Sequence, residues 1–154
     1  MTKIISAFPG TGKSMYFSKH KDITLDSDSS NFSWIKVDGI SVRNPEFPKN
    51  YIKHIKENIG KYKYIFVSSH KEVRDALLSE DIFFYLVIPD STRKDEFIER
   101  YKNRGNSDSF IELVSDNWSN WMLEIDQMEG NFELISMVLP NLEDELNHLE
   151  RVEI

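Results

Sequence analysis

Lys3-Ile4-Ile5-Ser6-Ala7-Phe8-Pro9-Gly10-Thr11-Gly12-Lys13-Ser14 is the stretch from which the fold is read. The apolar run from Lys3 to Ala7 has the make-up of a short buried strand. It meets Phe8-Pro9-Gly10-Thr11-Gly12, where proline and glycine cannot continue a strand. Lys13 to His20 then reads as a helix. The segment from Ala7 to Ser14 fits the pattern G-x-x-x-x-G-K-[ST] at every position except the first, where alanine replaces glycine.

Each residue type in that segment has a physical task. Gly10 and Gly12 let the backbone turn so that successive amides point at one phosphate, with Pro9 and Thr11 completing the cradle. The helix that opens at Lys13 adds its positive end. Lys13 neutralises the oxygens of the β- and γ-phosphates, and the Ser14 hydroxyl is a magnesium ligand. Ala7 implies only that this position does not need a positive φ.

Working outward, Ile23 to Leu25 reads as a second short strand, followed by the polar loop Asp26-Ser27-Asp28-Ser29-Ser30-Asn31. Phe32 to Phe47, with prolines nearby, reads as loop with at most short structure. Asn50 to Asn58 has helical spacing. Tyr64 to Val67 and Phe83 to Ile88 are continuous apolar runs, each followed by a helical stretch: Lys71 to Ser79, with Val73, Leu77 and Leu78 inward, and Ser91 to Asn103, stopped by Gly105. Ser109 to Met128 is a further helix carrying Trp118 and Trp121, expected against the sheet. Phe132 to Val138 is a last strand and Asn141 to Val152 a last helix. Short apolar strands alternating with helices give an α/β fold with a parallel sheet covered on both faces. Such sheets bind ligands at the carboxyl ends of their strands.

Composition bounds the rest. The chain has 154 residues, the size of one domain, and 40% hydrophobic residues, enough for a core. It has no cysteine, so disulfide and thiolate chemistry are excluded. No apolar run approaches the ~20 residues of a membrane span, and the first residues lack a signal-peptide layout. A soluble, cytoplasmic protein with no membrane partner is expected. The formal charge of -7 makes a poor footprint for nucleic acid but allows a small anionic ligand in a locally positive pocket. The acidic tail (Glu143, Asp144, Glu145, Glu150, Glu153) reads as a solvated helix face.

Further candidates lie at expected strand ends. Asp26 and Asp28, two apart in extended chain, point to one side; Asp26 is the candidate for the magnesium side and Asp28 for an acceptor's hydroxyl, against ordinary capping or turn roles for both. At Ser68-Ser69-His70 no acid stands. Ser69 is expected to cap the following helix, and His70 is a candidate substrate contact. Arg93, Arg100 and Arg104 fall within about 40° of one another on a helix, with Phe97 and Tyr101 bordering the stripe. Guanidinium groups there could stabilise a moving phosphoryl group, or could pair with Glu96 and Glu99. Among Phe32, Trp34 and Phe47 an aromatic ring, Phe32 first, is a candidate for stacking on a base and Arg43 for an acceptor phosphate, against core packing and a surface arginine.

With these residues the chain resembles the P-loop kinase group that contains nucleoside monophosphate kinases, particularly small phage-type versions. The likeness rests on Ala7 to Ser14, the arginine-bearing helix and the element order. It implies a single three-layer domain over 1–154, a five-stranded parallel sheet of order 2-3-1-4-5, and a short helical lid over about 90–106 bearing Arg93, Arg100 and Arg104. The Asp26-Ser27-Asp28 loop also resembles the Asp-x-Asp of shikimate kinase-like enzymes, where carboxylates serve magnesium and a substrate hydroxyl. The first expectation is therefore ATP- and magnesium-dependent phosphoryl transfer to a (deoxy)nucleoside monophosphate. The alternatives are a kinase acting on a hydroxyl of a small metabolite or of modified DNA, and a nucleotide-binding switch.

Overall fold

The computed structural model describes residues 1–152; Glu153, placed in the acidic tail above, lies outside them. Five strands form one sheet: β1 (Lys3–Ala7), β2 (Thr24–Asp26), β5 (Tyr64–Val67), β6 (Phe84–Pro89) and β7 (Phe132–Met137). Their order is β2-β5-β1-β6-β7, and every pairing is parallel. All four residues of β5 and all six of β6 are buried, inward and outward alike, so helices cover both faces.

Among the described residues seven α-helices accompany the strands: α1 (Lys13–Lys19), α2 (Ser30–Ser33), α3 (Lys49–Asn58), α4 (Lys71–Ser79), α5 (Lys94–Asn103), α6 (Asp108–Asp126) and α7 (Leu142–Val152). Aromatic side chains tie them to the sheet. Tyr16 of α1 packs edge-on against Tyr64 and Phe66 of β5. Trp118 of α6 packs against Phe8 and Phe97 and donates its indole N–H to the Ser91 carbonyl. Among the described residues no helix is long and apolar enough to cross a membrane.

Two expectations about local structure are corrected. Residues 34–43, expected as loop with at most short structure, form an antiparallel hairpin of two four-residue strands, β3 (Trp34–Val37) with β4 (Ile40–Arg43). Its turn, Asp38-Gly39, has positive φ at both residues, 52° and 80°. That is the two-residue turn whose twist suits a hairpin, and Asp-Gly is its sequence signal. The register puts Trp34, Lys36, Ser41 and Arg43 on one face and Ile35, Val37, Ile40 and Val42 on the other.

The acidic tail is not simply solvated. Glu145 is buried, and one of its carboxylate oxygens accepts from the amides of Val138 and Leu139. Glu150 accepts from the Tyr64 hydroxyl and from Lys3, so the start of α7 anchors the end of β7 and its last turns anchor the start of β1 and β5. The Tyr64 hydroxyl, first, and Lys3 hold the Glu150 carboxyl below its ordinary range.

Candidate functional site

Because the sheet strands run parallel, the segments leaving β1, β2 and β5 emerge at one edge, where a cavity of about 730 Å³ opens. Its floor is the loop after β1. Gly10 and Gly12 hold φ of 84° and 106°, values open to glycine and strained for other residues. Thr11 is fully buried; its hydroxyl donates to the Phe8 carbonyl and its own carbonyl accepts from Leu142 N–H. Tyr101 donates its hydroxyl to the Pro9 carbonyl at 2.8 Å, and Arg100 donates to the Gly10 carbonyl at 2.8 Å. The loop is thus clamped between α5 and the start of α7.

Lys13 and Ser14 line the cavity, and neither side chain makes a hydrogen bond among the described residues. Burial, the largest influence, lowers the Lys13 pKa; Asp26 and Asp28 oppose it and Arg104 adds to it. Asp26, Ser27 and Asp28 line the same cavity, the two carboxylates exposed and Ser27 buried, while Ser29, also buried, lines the neighbouring one. Asp28 also closes a turn by accepting from Ser30 N–H. Two residues fix this loop: Tyr51, which sequence reasoning did not single out as functional, and Ser68 of the third polar stretch. Tyr51, fully buried, donates its hydroxyl to the Ser27 carbonyl and receives Ser68 N–H. The Ser68 hydroxyl meets both the amide and the hydroxyl of Ser29. Tyr51 sits at helical spacing with Ile52 and Ile55, so its signal is that of a core residue.

The expected arginine trio is divided by the structure. Arg93 lies outside the cavity: its guanidinium donates to the carbonyls of Met137 and Leu139 and pairs with Glu96. It closes the end of β7. Arg100 lines the cavity but is engaged by Gly10, Glu96 and the Pro140 carbonyl, which makes it a positioning residue for the loop. Arg104 lines the cavity, stacks over Tyr101 at 5.8 Å, and its side chain makes no hydrogen bond among the described residues. Asn103 lines the cavity as well. The helix expected to act as a lid has Phe97 and Tyr101 fully buried and is part of the core.

Other expectations also change. Ser69 does not cap α4. The capping position is His70, with no side-chain cap bond, and the Ser69 carbonyl accepts from Arg74. Phe32 packs on Tyr51 and His54 at 5.2 and 4.7 Å and lines neither this cavity nor the next. Arg43 and His70 line a second cavity of about 350 Å³, which shares Asp28 and His70 with the first. Trp34, not Phe32, is the aromatic group of the hairpin that faces it. Burial and then the Lys13 charge lower the His70 pKa, with Asp28 opposing them.

Magnesium is the metal that the sequence pattern implies. No group of three or more His, Asp or Glu side chains able to hold a metal exists among the described residues. The available donors are the Ser14 hydroxyl and the Asp26 carboxylate, both hard oxygens on the cavity wall. That donor set fits an ion that takes one or two protein oxygens and completes its shell with phosphate and water. No family model and no curated protein matches this chain.

Proposed function

We propose that the chain binds a nucleoside triphosphate, ATP by expectation, with magnesium in the larger cavity and transfers the terminal phosphoryl group to a small acceptor in the neighbouring one. The observation that carries this reading is the convergence of Lys13, Ser14, Asp26 and Arg104 on the glycine-turned loop at the sheet's carboxyl edge. The order of the parallel strands, second, third, first, fourth, fifth in chain order, is the order implied by the resemblance to P-loop kinases and supports it.

In this reading the amides of Gly10 to Lys13 receive phosphate oxygens, and Lys13 and Arg104 meet the charge that spreads over the phosphoryl group as it moves. Ser14 and Asp26 hold the magnesium, which supplies charge neutralisation when bound. Arg100 and Tyr101 keep the loop in position by holding the Gly10 and Pro9 carbonyls. A monophosphate acceptor, the first expectation from sequence, requires a cation in the second cavity. Arg43 is the arginine there, and Glu72 engages it.

The test is a titration with ATP and magnesium, paired with an ADP-release assay. Wild-type protein is expected to bind, and Lys13→Ala to bind at least about tenfold more weakly, a loss of about 1.4 kcal/mol. Equal affinity of the two proteins would sink the proposal.

A further inference from the structure

We infer that the second cavity is the acceptor site and that it takes an uncharged compound carrying a hydroxyl group and a flat ring, of about the size of one nucleoside, in preference to a phosphate monoester. This rests on the phosphoryl-transfer reading of the first cavity. The two cavities meet at Asp28 and His70, so an acceptor in the second presents its reactive group to the end of a triphosphate seated in the first. About 350 Å³ lies at the small end of ligand pockets and suits a molecule of one or two rings, not an oligomer.

The charges select against a phosphate. One guanidinium, that of Arg43, lines this cavity, together with two carboxylates, those of Asp28 and Glu72. Arg43 is already engaged: one terminal nitrogen lies 3.3 Å from each Glu72 oxygen, and its guanidinium lies 5.4 and 5.2 Å from the ring centres of Trp34 and Phe47. With its guanidinium engaged and two carboxylates on the wall, the cavity meets a doubly charged monoester with repulsion, an arrangement that rejects the wrong ligand.

The same residues suit a hydroxyl. Asp28 has one oxygen occupied by Ser30 N–H, and its other oxygen receives no donor among the described residues. A hydroxyl at the shared boundary donates to it. Trp34 is 49% exposed and lies on the cavity side of the hairpin, which leaves an indole surface for a flat ring to stack on. In the transfer the hydroxyl oxygen bonds to the terminal phosphorus. The bond from that phosphorus to its bridging oxygen breaks, nucleoside diphosphate leaves with the electron pair, and the hydroxyl proton passes to water. The new monoester then faces Asp28 and Glu72, and that repulsion favours its release.

The experiment measures ADP release by the full chain with ATP and magnesium, using the common ribo- and deoxyribonucleosides and their 5′-monophosphates as probes. At least one nucleoside is expected to stimulate release with kcat/KM at least tenfold above that of its monophosphate. Glu72→Gln, a change at an exposed position, frees Arg43 and narrows that ratio several-fold. Trp34→Ala raises KM for the nucleoside about tenfold while kcat changes less. Preference for monophosphates overturns the inference, as does a lack of response to every nucleoside while Lys13-dependent ATP binding persists. Loss of that binding is a separate result, which removes the phosphoryl-transfer reading itself.

Discussion

Replacing Gly10 by alanine tests whether the phosphate loop is clamped by α5 in the way described. Gly10 has φ of +84°, and a Cβ there would lie 2.8 Å from Cε1 of Tyr101. Two costs add. Left-handed backbone costs an L-residue about 1–2 kcal/mol. Overpacking costs about 1–3 kcal/mol more, because the Tyr101 ring is fully buried against Phe97 and Phe110 and cannot turn aside. The expected destabilisation is therefore about 2–5 kcal/mol. Two other glycines separate the terms. Gly60 has φ of +93° with nothing within 4 Å of its added Cβ, and Gly12 has φ of +106° with its nearest neighbour at 3.5 Å, an ordinary contact. Gly60→Ala and Gly12→Ala should each lose only the backbone term, about 1–2 kcal/mol. Denaturant unfolding of the three variants gives the comparison, and nucleotide titration adds a second axis: Gly10→Ala and Gly12→Ala weaken binding, and Gly60→Ala does not. Destabilisation of Gly10→Ala no greater than that of Gly60→Ala would refute the contact with Tyr101 as the source of the loop's rigidity.

Arg93→Ala should lower the unfolding free energy by about 1–3 kcal/mol without changing nucleotide affinity, since Arg93 serves the Met137 and Leu139 carbonyls. Arg104→Ala should do the reverse, weakening nucleotide binding with stability within about 0.5 kcal/mol of wild type; calorimetry and denaturant melts read both. Glu145→Ala strips the acceptor from two amides and should cost about 2–4 kcal/mol, whereas Glu145→Gln keeps a carbonyl oxygen and should cost less, as measured by thermal unfolding. Lys13 is held below its ordinary value of 10.5 by burial, so the folded chain binds its proton less tightly than the unfolded chain. Its contribution therefore opposes folding at neutral pH, and the opposition fades as pH rises through the lowered pKa towards 10.5. Lys13→Met should accordingly raise the melting temperature of the nucleotide-free protein at pH 7 and flatten its alkaline dependence while abolishing stabilisation by ATP and magnesium; a lower melting temperature would contradict the sign.

The amino-acid sequence by itself determined the parallel α/β class, the strand–loop–helix at Lys3 to Lys19, and the placing of Asp26 and Asp28 where the second strand ends at the cavity. These are local matters: backbone freedom at Gly10 and Gly12, a polar stretch closing a short strand, and continuous apolar strands that demand cover on both faces. The hairpin was also legible, in Asp38-Gly39, but nearby prolines masked it. The tertiary structure alone decided which charges are free. Arg93, Arg100 and Arg104 read from spacing as one helical stripe, but Arg93 ends a 3-10 turn before α5 and Arg104 follows its last residue, and the carbonyls of Met137, Leu139 and Pro140, about forty residues away in sequence, engage the first two and leave the third. Glu72 meets Arg43 across 29 residues, and Glu145 turns inward to the end of β7. Spacing along the helix contained one partner, Glu96, which pairs with Arg93 and Arg100; the carbonyls that complete their engagement come from distant segments that only folding brings to them.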